Sequence, residues 1–176
     1  MTEICIGTRA PEFTLPASNG TAISLMDFRD DKYVVLYFYP QDATPGCTQE
    51  AIAFRDLQSE FQLAGTAILG VSTDDLESHS KFAQQYNLTF PLLSDHDGAV
   101  TERYGVRKPS EIDDAQARAQ RTTFVIDKQG KIVKLYKHIK LQCHADEVLA
   151  FLHGKHEPEP EPAAAQEQAG IGNSDQ

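Results

Sequence analysis

The sequence is poor in cysteine, in positive charge and in long apolar runs, and it has no tryptophan. Its three cysteines, Cys5, Cys47 and Cys143, are far apart, odd in number and form no CxxC. That pattern excludes a disulfide scaffold. Sixteen Lys and Arg against 26 Asp and Glu leave a net charge of −10. A chain so acidic lacks the basic face that displaces counterions from nucleic acid or docks on anionic lipid, so neither partner is expected. The longest apolar stretch, Tyr33 to Tyr39, is far too short to span a bilayer. The opening MTEICIGTRAPEF has no basic stretch followed by an apolar run, so no secretory signal is read there. A reducing, cytoplasmic setting is the expectation.

What is present is ordinary globular composition: 176 residues, 40% apolar and 24% charged, enough for one self-sufficient core. Residues 1–154 read as one domain and residues 155–176 as an acidic tail. That tail carries five acids and one lysine, with alternating Glu-Pro, and is expected to be disordered. Within the domain, strand and helix signals alternate. Residues 12–15 and 21–25 flank Ser18-Asn19-Gly20 and predict an N-terminal hairpin. Residues 33–39, 66–71 and 123–126 are continuous apolar runs, as in strands covered on both faces. Residues 131–136 alternate polar and apolar after Lys128-Gln129-Gly130, which predicts a more exposed strand closing a second hairpin. One helix is expected from the neighbourhood of Cys47 to Gly65, a second over 74–86, and a third over 145–152 ending at Gly154. The sum is an α/β fold with a central mixed sheet flanked by helices.

The segment that carries chemistry is Tyr37-Phe38-Tyr39-Pro40-Gln41-Asp42-Ala43-Thr44-Pro45-Gly46-Cys47-Thr48. Pro40 ends a buried strand, Thr44 is a good N-cap, and Pro45 suits the first helical position. Cys47 then falls in the first helical turn, near unpaired N–H groups and the positive end of the dipole. Holding a thiol of ordinary pKa as an anion at about pH 6 takes roughly 3.4 kcal/mol. A helix end supplies about 0.3–1 kcal/mol, or about 2 when partly buried, so a nucleophilic cysteine here needs a cation. Arg121, just before the apolar run Thr122-Thr123-Phe124-Val125-Ile126, is the candidate, because strand ends converge on helix starts in α/β sheets.

The run YFYPQDATPGCTQEA together with Arg121 and the opening Gly7-x-x-Ala10-Pro11-x-Phe13-x-Leu15 resembles peroxiredoxins, and specifically the bacterioferritin-comigratory-protein or peroxiredoxin Q group, over about residues 3–153. The resemblance implies a thioredoxin-like fold and a thiol-dependent peroxidase acting on hydrogen peroxide and organic hydroperoxides. It implies Cys47 as the peroxidatic nucleophile, Thr44 as the group orienting peroxide and thiolate, Arg121 as stabiliser of negative charge, and Pro40 as a shield for the sulfur. It implies no cofactor and no metal. Thioredoxin, glutaredoxin or a small thiol is the implied reductant, and a monomer is favoured over a dimer.

The chain departs from the group at one position. Many members carry a resolving cysteine five residues after the first; here Ile52 stands there. Three routes to reduce the sulfenic acid stay open: an external thiol, Cys143, or Cys5. The rival reading of function is a peroxide sensor or redox relay that passes oxidation to a protein partner. A thiol–disulfide oxidoreductase is disfavoured because Glu50 occupies the place of a second CxxC cysteine, and a glutathione-peroxidase-like enzyme by the lack of tryptophan. Competing bland readings are an inert buried Cys47, a surface ion pair for Arg121, and structural roles for Thr44 and Pro40. For Cys143 the structural reading is the stronger one. The six histidines show no ligand pattern; His79 reads as a packed histidine on a helix face, and His153-x-x-His156 is a weak metal motif. The polar stretch 107–120 reads as a loop with some helix.

Overall fold

The computed structural model describes residues 3–108 and 117–156. The first hairpin pairs β1 (Thr14–Pro16) antiparallel with β2 (Ala22–Ser24). β3 (Tyr33–Phe38) is the middle of a five-stranded sheet. It leads into α1 (Pro45–Asp56), α2 (Gln58–Leu63) and β4 (Thr66–Ser72). α3 (Leu76–Gln85), β5 (Leu92–Ser94) and α4 (Ala99–Arg103) follow. A two-residue ribbon pairs β6 (Arg107–Lys108) with β7 (Arg118–Ala119). β8 (Thr122–Ile126), β9 (Ile132–Tyr136) and α5 (His144–His156) complete the described chain.

The sheet order is β5-β4-β3-β8-β9, parallel from β5 to β3 and antiparallel from β3 to β9. This is the mixed sheet that the sequence predicts. β3 is apolar throughout because both its faces are covered. Val34, Leu36 and Phe38 enter one cluster with Phe13, Tyr104 and Phe124. Val35, Tyr37 and Tyr39 enter the other with Cys47, Phe54, Phe82 and Leu149. β9 sits at the sheet edge and is only partly buried past Ile132, in keeping with its alternating sequence.

Three expectations are corrected. The helix after Cys47 is two helices, interrupted at Leu57 (φ −102°, ψ 6°), although apolar spacing continues across the break. The last helix runs through Gly154 to His156, since that glycine keeps a helical backbone. Residues 107–108 and 118–119 form a β-ribbon rather than loop with helix; positions 109–116 lie outside the described residues, as does the tail from 157.

Candidate active site

The sheet register builds the site. Phe38, the last residue of β3, lies opposite Thr122, the first of β8, so Arg121 arrives beside the chain leaving β3. The Tyr39 N–H still bonds to the Val71 carbonyl, and Pro40, with no N–H to give, ends the ladder. Residues 40–44 turn into α1 through Ala43, whose φ of 61° is uncommon for a non-glycine residue. Thr44 is the N-cap by backbone (φ −76°, ψ 153°), with its carbonyl accepting from Thr48 N–H at 2.9 Å. Its side chain does not cap the helix; the hydroxyl donates back to the Gln41 carbonyl at 2.9 Å. Pro45 takes the first helical position, which places Cys47 third in the helix.

Cys47 is 1% exposed, with Sγ 3.3 Å from Nη2 of Arg121. The other terminal nitrogen of Arg121, Nη1, pairs with Oε2 of Glu50. Gly46 permits this approach: a Cβ there would lie 3.2 Å from Nη2 of Arg121 and 3.3 Å from Cδ1 of Leu141. Burial works against the Arg121 charge, but Glu50 and Cys47 outweigh it and raise the pKa. Glu50 is as buried as Cys47, and burial lifts its carboxyl to about 7 against the opposing pull of Arg121. Among the described residues, its Oε1 and the Tyr37 hydroxyl have no hydrogen-bond partner. A thiol, a guanidinium and a second acid thus share one pocket, in which one cation faces two potential anions. The chemistry open to such a set is nucleophilic attack by sulfur, with leaving charge held by the guanidinium.

Glu50 is the participant that the sequence reading missed. Its signal was the three-residue spacing from Cys47, which puts both on one side of α1. Pro40 is half-buried beside the site, and its carbonyl accepts from Arg118 at 3.4 Å. Cys143 immediately precedes α5, two residues beyond the Leu141 that abuts Gly46. Its thiol donates to Glu147 Oε1 at 3.3 Å, and that hydrogen bond, with some desolvation and the acid's charge, pushes its pKa up. Cys5 is exposed; the nearby Gly7 is tied to Ile132, at the end of β9 away from Arg121. His79 is fully buried, as a packed histidine should be, and His153 is exposed. The cavity of about 950 Å³ lined by Ile4, Tyr104, Val106, Phe124 and Leu135 opens on the other face of the sheet, away from Cys47. Among the described residues no helix is long and apolar enough to cross a membrane.

Comparison with known proteins agrees with this arrangement. The AhpC/TSA family profile matches residues 6–135. Peroxiredoxin Bcp of Bacillus subtilis is 40% identical over 148 residues, covering 84% of this chain and 94% of that protein. Peroxidoxin BcpB from Mycobacterium tuberculosis superposes with a TM-score of 0.80 at 37% identity, over 86% of this chain and 98% of that one. The bacterioferritin comigratory protein of Xanthomonas campestris, studied for alkyl peroxide reduction, gives 0.75 at 38% identity, over 81% and 91%. The neighbours are thioredoxin-fold peroxiredoxins, which fixes the fold class of this chain. With most of its domain matched and its sulfur beside a guanidinium at a helix start, the chain belongs to the AhpC/TSA family, in the Bcp and peroxiredoxin Q group of thiol-dependent peroxidases.

Proposed function

We propose that the peroxidase chemistry of this chain runs through Cys47, with Arg121, Thr44 and Pro40 as its partners and an external thiol as its reductant. The observation that carries this reading is the 3.3 Å contact between Arg121 Nη2 and a sulfur in the first turn of α1. The Cys47 thiolate attacks the terminal oxygen of hydrogen peroxide or an organic hydroperoxide. The S–O bond forms as the O–O bond breaks, sulfur becoming sulfenic acid. Water or an alcohol leaves, carrying the proton that the thiol gave up on ionising. Arg121 holds negative charge first on sulfur and then on the leaving oxygen. Thr44, which donates its own proton to Gln41, keeps oxygen lone pairs to accept from the peroxide hydroxyl. The free N–H of Cys47 at the third helical position offers a fixed donor. Pro40 covers the sulfur. No step calls for a metal or organic cofactor.

Recycling is the finer question. Ile52 removes the intrahelical route. Cys143 stands in the right neighbourhood, but its hydrogen bond to Glu147 raises its pKa and so lowers the share of thiolate, the form that attacks sulfenic acid well. Cys5 lies by the far end of the β8–β9 hairpin. This supports thioredoxin, glutaredoxin or a small thiol acting directly on Cys47; a cytoplasmic setting, and a monomer in preference to a dimer, remain part of the proposal. Treatment with one equivalent of peroxide, followed by mass-spectrometric mapping of thiols, should give a lasting Cys47 sulfenic acid. A Cys47–Cys143 or Cys47–Cys5 bridge would overturn the external route. Cys47→Ser should abolish peroxide consumption, and retained turnover would end the assignment of the nucleophile. The same oxidation could serve a redox relay, but the Bcp relatives favour turnover.

A further inference from the structure

One buried acid outside this machinery lies beneath the 40–44 loop. Asp42 is 7% exposed, and its carboxylate faces three side chains. The Tyr39 hydroxyl donates to Oδ1 at 2.6 Å, and the Ser78 hydroxyl donates to Oδ2 at 2.8 Å. His79 Nδ1 stands 2.6 Å from the same Oδ2, and its Nε2 is 2.9 Å from the Leu93 carbonyl. A carbonyl oxygen can only accept, so Nε2 carries a proton. A carboxylate that already takes bonds from two hydroxyls offers Nδ1 an acceptor as well. With Nε2 donating to the Leu93 carbonyl, Nδ1 is the nitrogen that faces Asp42, and a proton there would pair an imidazolium with a carboxylate. The ligand atoms of Asp42, Asp74 and His79 lie within 4.8 Å of one another, a spacing that suits a metal. Yet each His79 nitrogen is spent on a hydrogen bond, so the cluster reads as a scaffold instead.

The loop is pinned at two further points. The Asp42 N–H donates to Oδ2 of Asp74 at 2.8 Å, and that carboxylate is held in turn by the Ser72 hydroxyl at 2.7 Å. The Pro40 carbonyl takes Arg118 Nη1, which also lies 3.7 Å from Oδ1 of Asp74. The groups facing His79 are therefore Asp42, the Tyr39 hydroxyl at 3.4 Å, the Leu93 carbonyl and, across the cluster, Asp74. Between the pinned Asp42 and the N-cap Thr44 stands Ala43 at φ 61°, a conformation that persists only where its surroundings hold it.

We propose that Asp42 and His79 form an internal ion pair that acts as a positioning device, fastening the Pro40–Thr44 loop to α3 so that the Thr44 hydroxyl and the Pro40 cover meet peroxide in register above Cys47. This rests on Cys47 as the reacting thiol. The pair touches neither sulfur nor peroxide, so its removal leaves the electrostatics of Cys47 alone and spoils the geometry. The test is stopped-flow reduction of hydrogen peroxide by Asp42→Asn and His79→Gln proteins, alongside the pH at which the Cys47 thiolate forms. We expect the second-order rate constant to fall about tenfold or more with the thiolate titration unmoved, since small misplacements of reacting groups are costly. A rate constant within twofold of the parent in folded variants, with only a lower melting temperature, would reduce the pair to stability and overturn the role. So would a rate loss accompanied by a shifted thiolate titration. If either variant fails to fold, nitrogen-15 spectra of the unmodified protein decide: both His79 ring nitrogens should carry a proton. A bare Nδ1 overturns the pair. Peroxide consumption by Cys47→Ser would instead sink the nucleophile and leave the Asp42–His79 spectra unexplained by it, so the two failures are distinguishable.

Discussion

Cys47 and Cys143 both stand at helix starts, and the helix dipole favours a thiolate at each. Cys47 is third in α1; Cys143 immediately precedes α5, and its carbonyl accepts from Glu147 N–H at 3.0 Å. What separates them is the charge of the nearest side chain. Cys47 is buried against a guanidinium, whereas Cys143 is partly exposed against a carboxylate. A helix end is worth at most about 2 kcal/mol, less than the roughly 3.4 kcal/mol that brings a thiol pKa down to about 6, so the neighbouring charge is what tells the two sulfurs apart. The largest effect is therefore expected where that partner is removed. Arg121→Ala should slow Cys47 oxidation by about a hundredfold or more, the usual cost of losing one preorganised donor to developing negative charge. Stopped-flow peroxide kinetics read it, and a loss under threefold would make the two cysteines alike in kind.

Glu50 sharpens the contrast from the other side. Its acid stands within the Cys47 site but is answered by Arg121, whereas Glu147 acts on Cys143 directly. Burial lifts the Glu50 carboxyl from 4.5 to about 7. A folded state that binds this proton more tightly than the unfolded chain gains stability at low pH. It loses that gain as pH rises through the window from 4.5 to about 7. The loss is on the order of 3 kcal/mol and levels off above it. Glu50→Gln should abolish this slope. Urea unfolding of both proteins at a series of pH values checks it: their stability difference should grow from about pH 5 to 7. A difference independent of pH would mean that Glu50 stays ionised throughout, neutralised by Arg121.

Much of this was legible in sequence, and the reasons differ between elements. β3 announced itself because two covered faces require an unbroken apolar run, and the antiparallel pairing of β3 with β8 then carries Arg121 to Cys47. The first turn of α1 was legible because Thr44 and Pro45 are local signals. The break at Leu57 was not, since Phe54 and Phe61 both pack in one core cluster and their spacing is continuous across it. Short β5 and α4 lacked enough residues to show a period. Glu50 and Asp42 were passed over because an acid on a helix or in a turn is ordinarily solvated. Distant partners, among them Arg121 and His79, 71 and 37 residues away, make their burial tenable. Long-range partners of buried charge are what a local pattern cannot supply.

The smallest effect belongs to Cys143, the cysteine that the proposed external-thiol route leaves aside. The Glu147 carboxylate accepts from the Cys143 thiol at 3.3 Å and heads the causes that raise its pKa, while Lys140 pulls weakly the other way. Solvent screens an exposed pair of this kind, so its removal should matter only modestly. Glu147→Gln keeps the side-chain shape and removes the charge. Alkylation of Cys143 at about pH 8 should then quicken by a few-fold, as the thiolate fraction rises. Peroxide treatment of the same variant carries the argument further. If a Cys47–Cys143 bridge forms in Glu147→Gln and not in the parent, protonation alone keeps Cys143 out of the cycle, and one substitution suffices to change a one-cysteine peroxidase into a two-cysteine one. If Cys143 alkylates faster yet no bridge appears, the barrier is geometric: the α5 start would have to leave its place beside Gly46, where Leu141 packs, before the two sulfurs could meet.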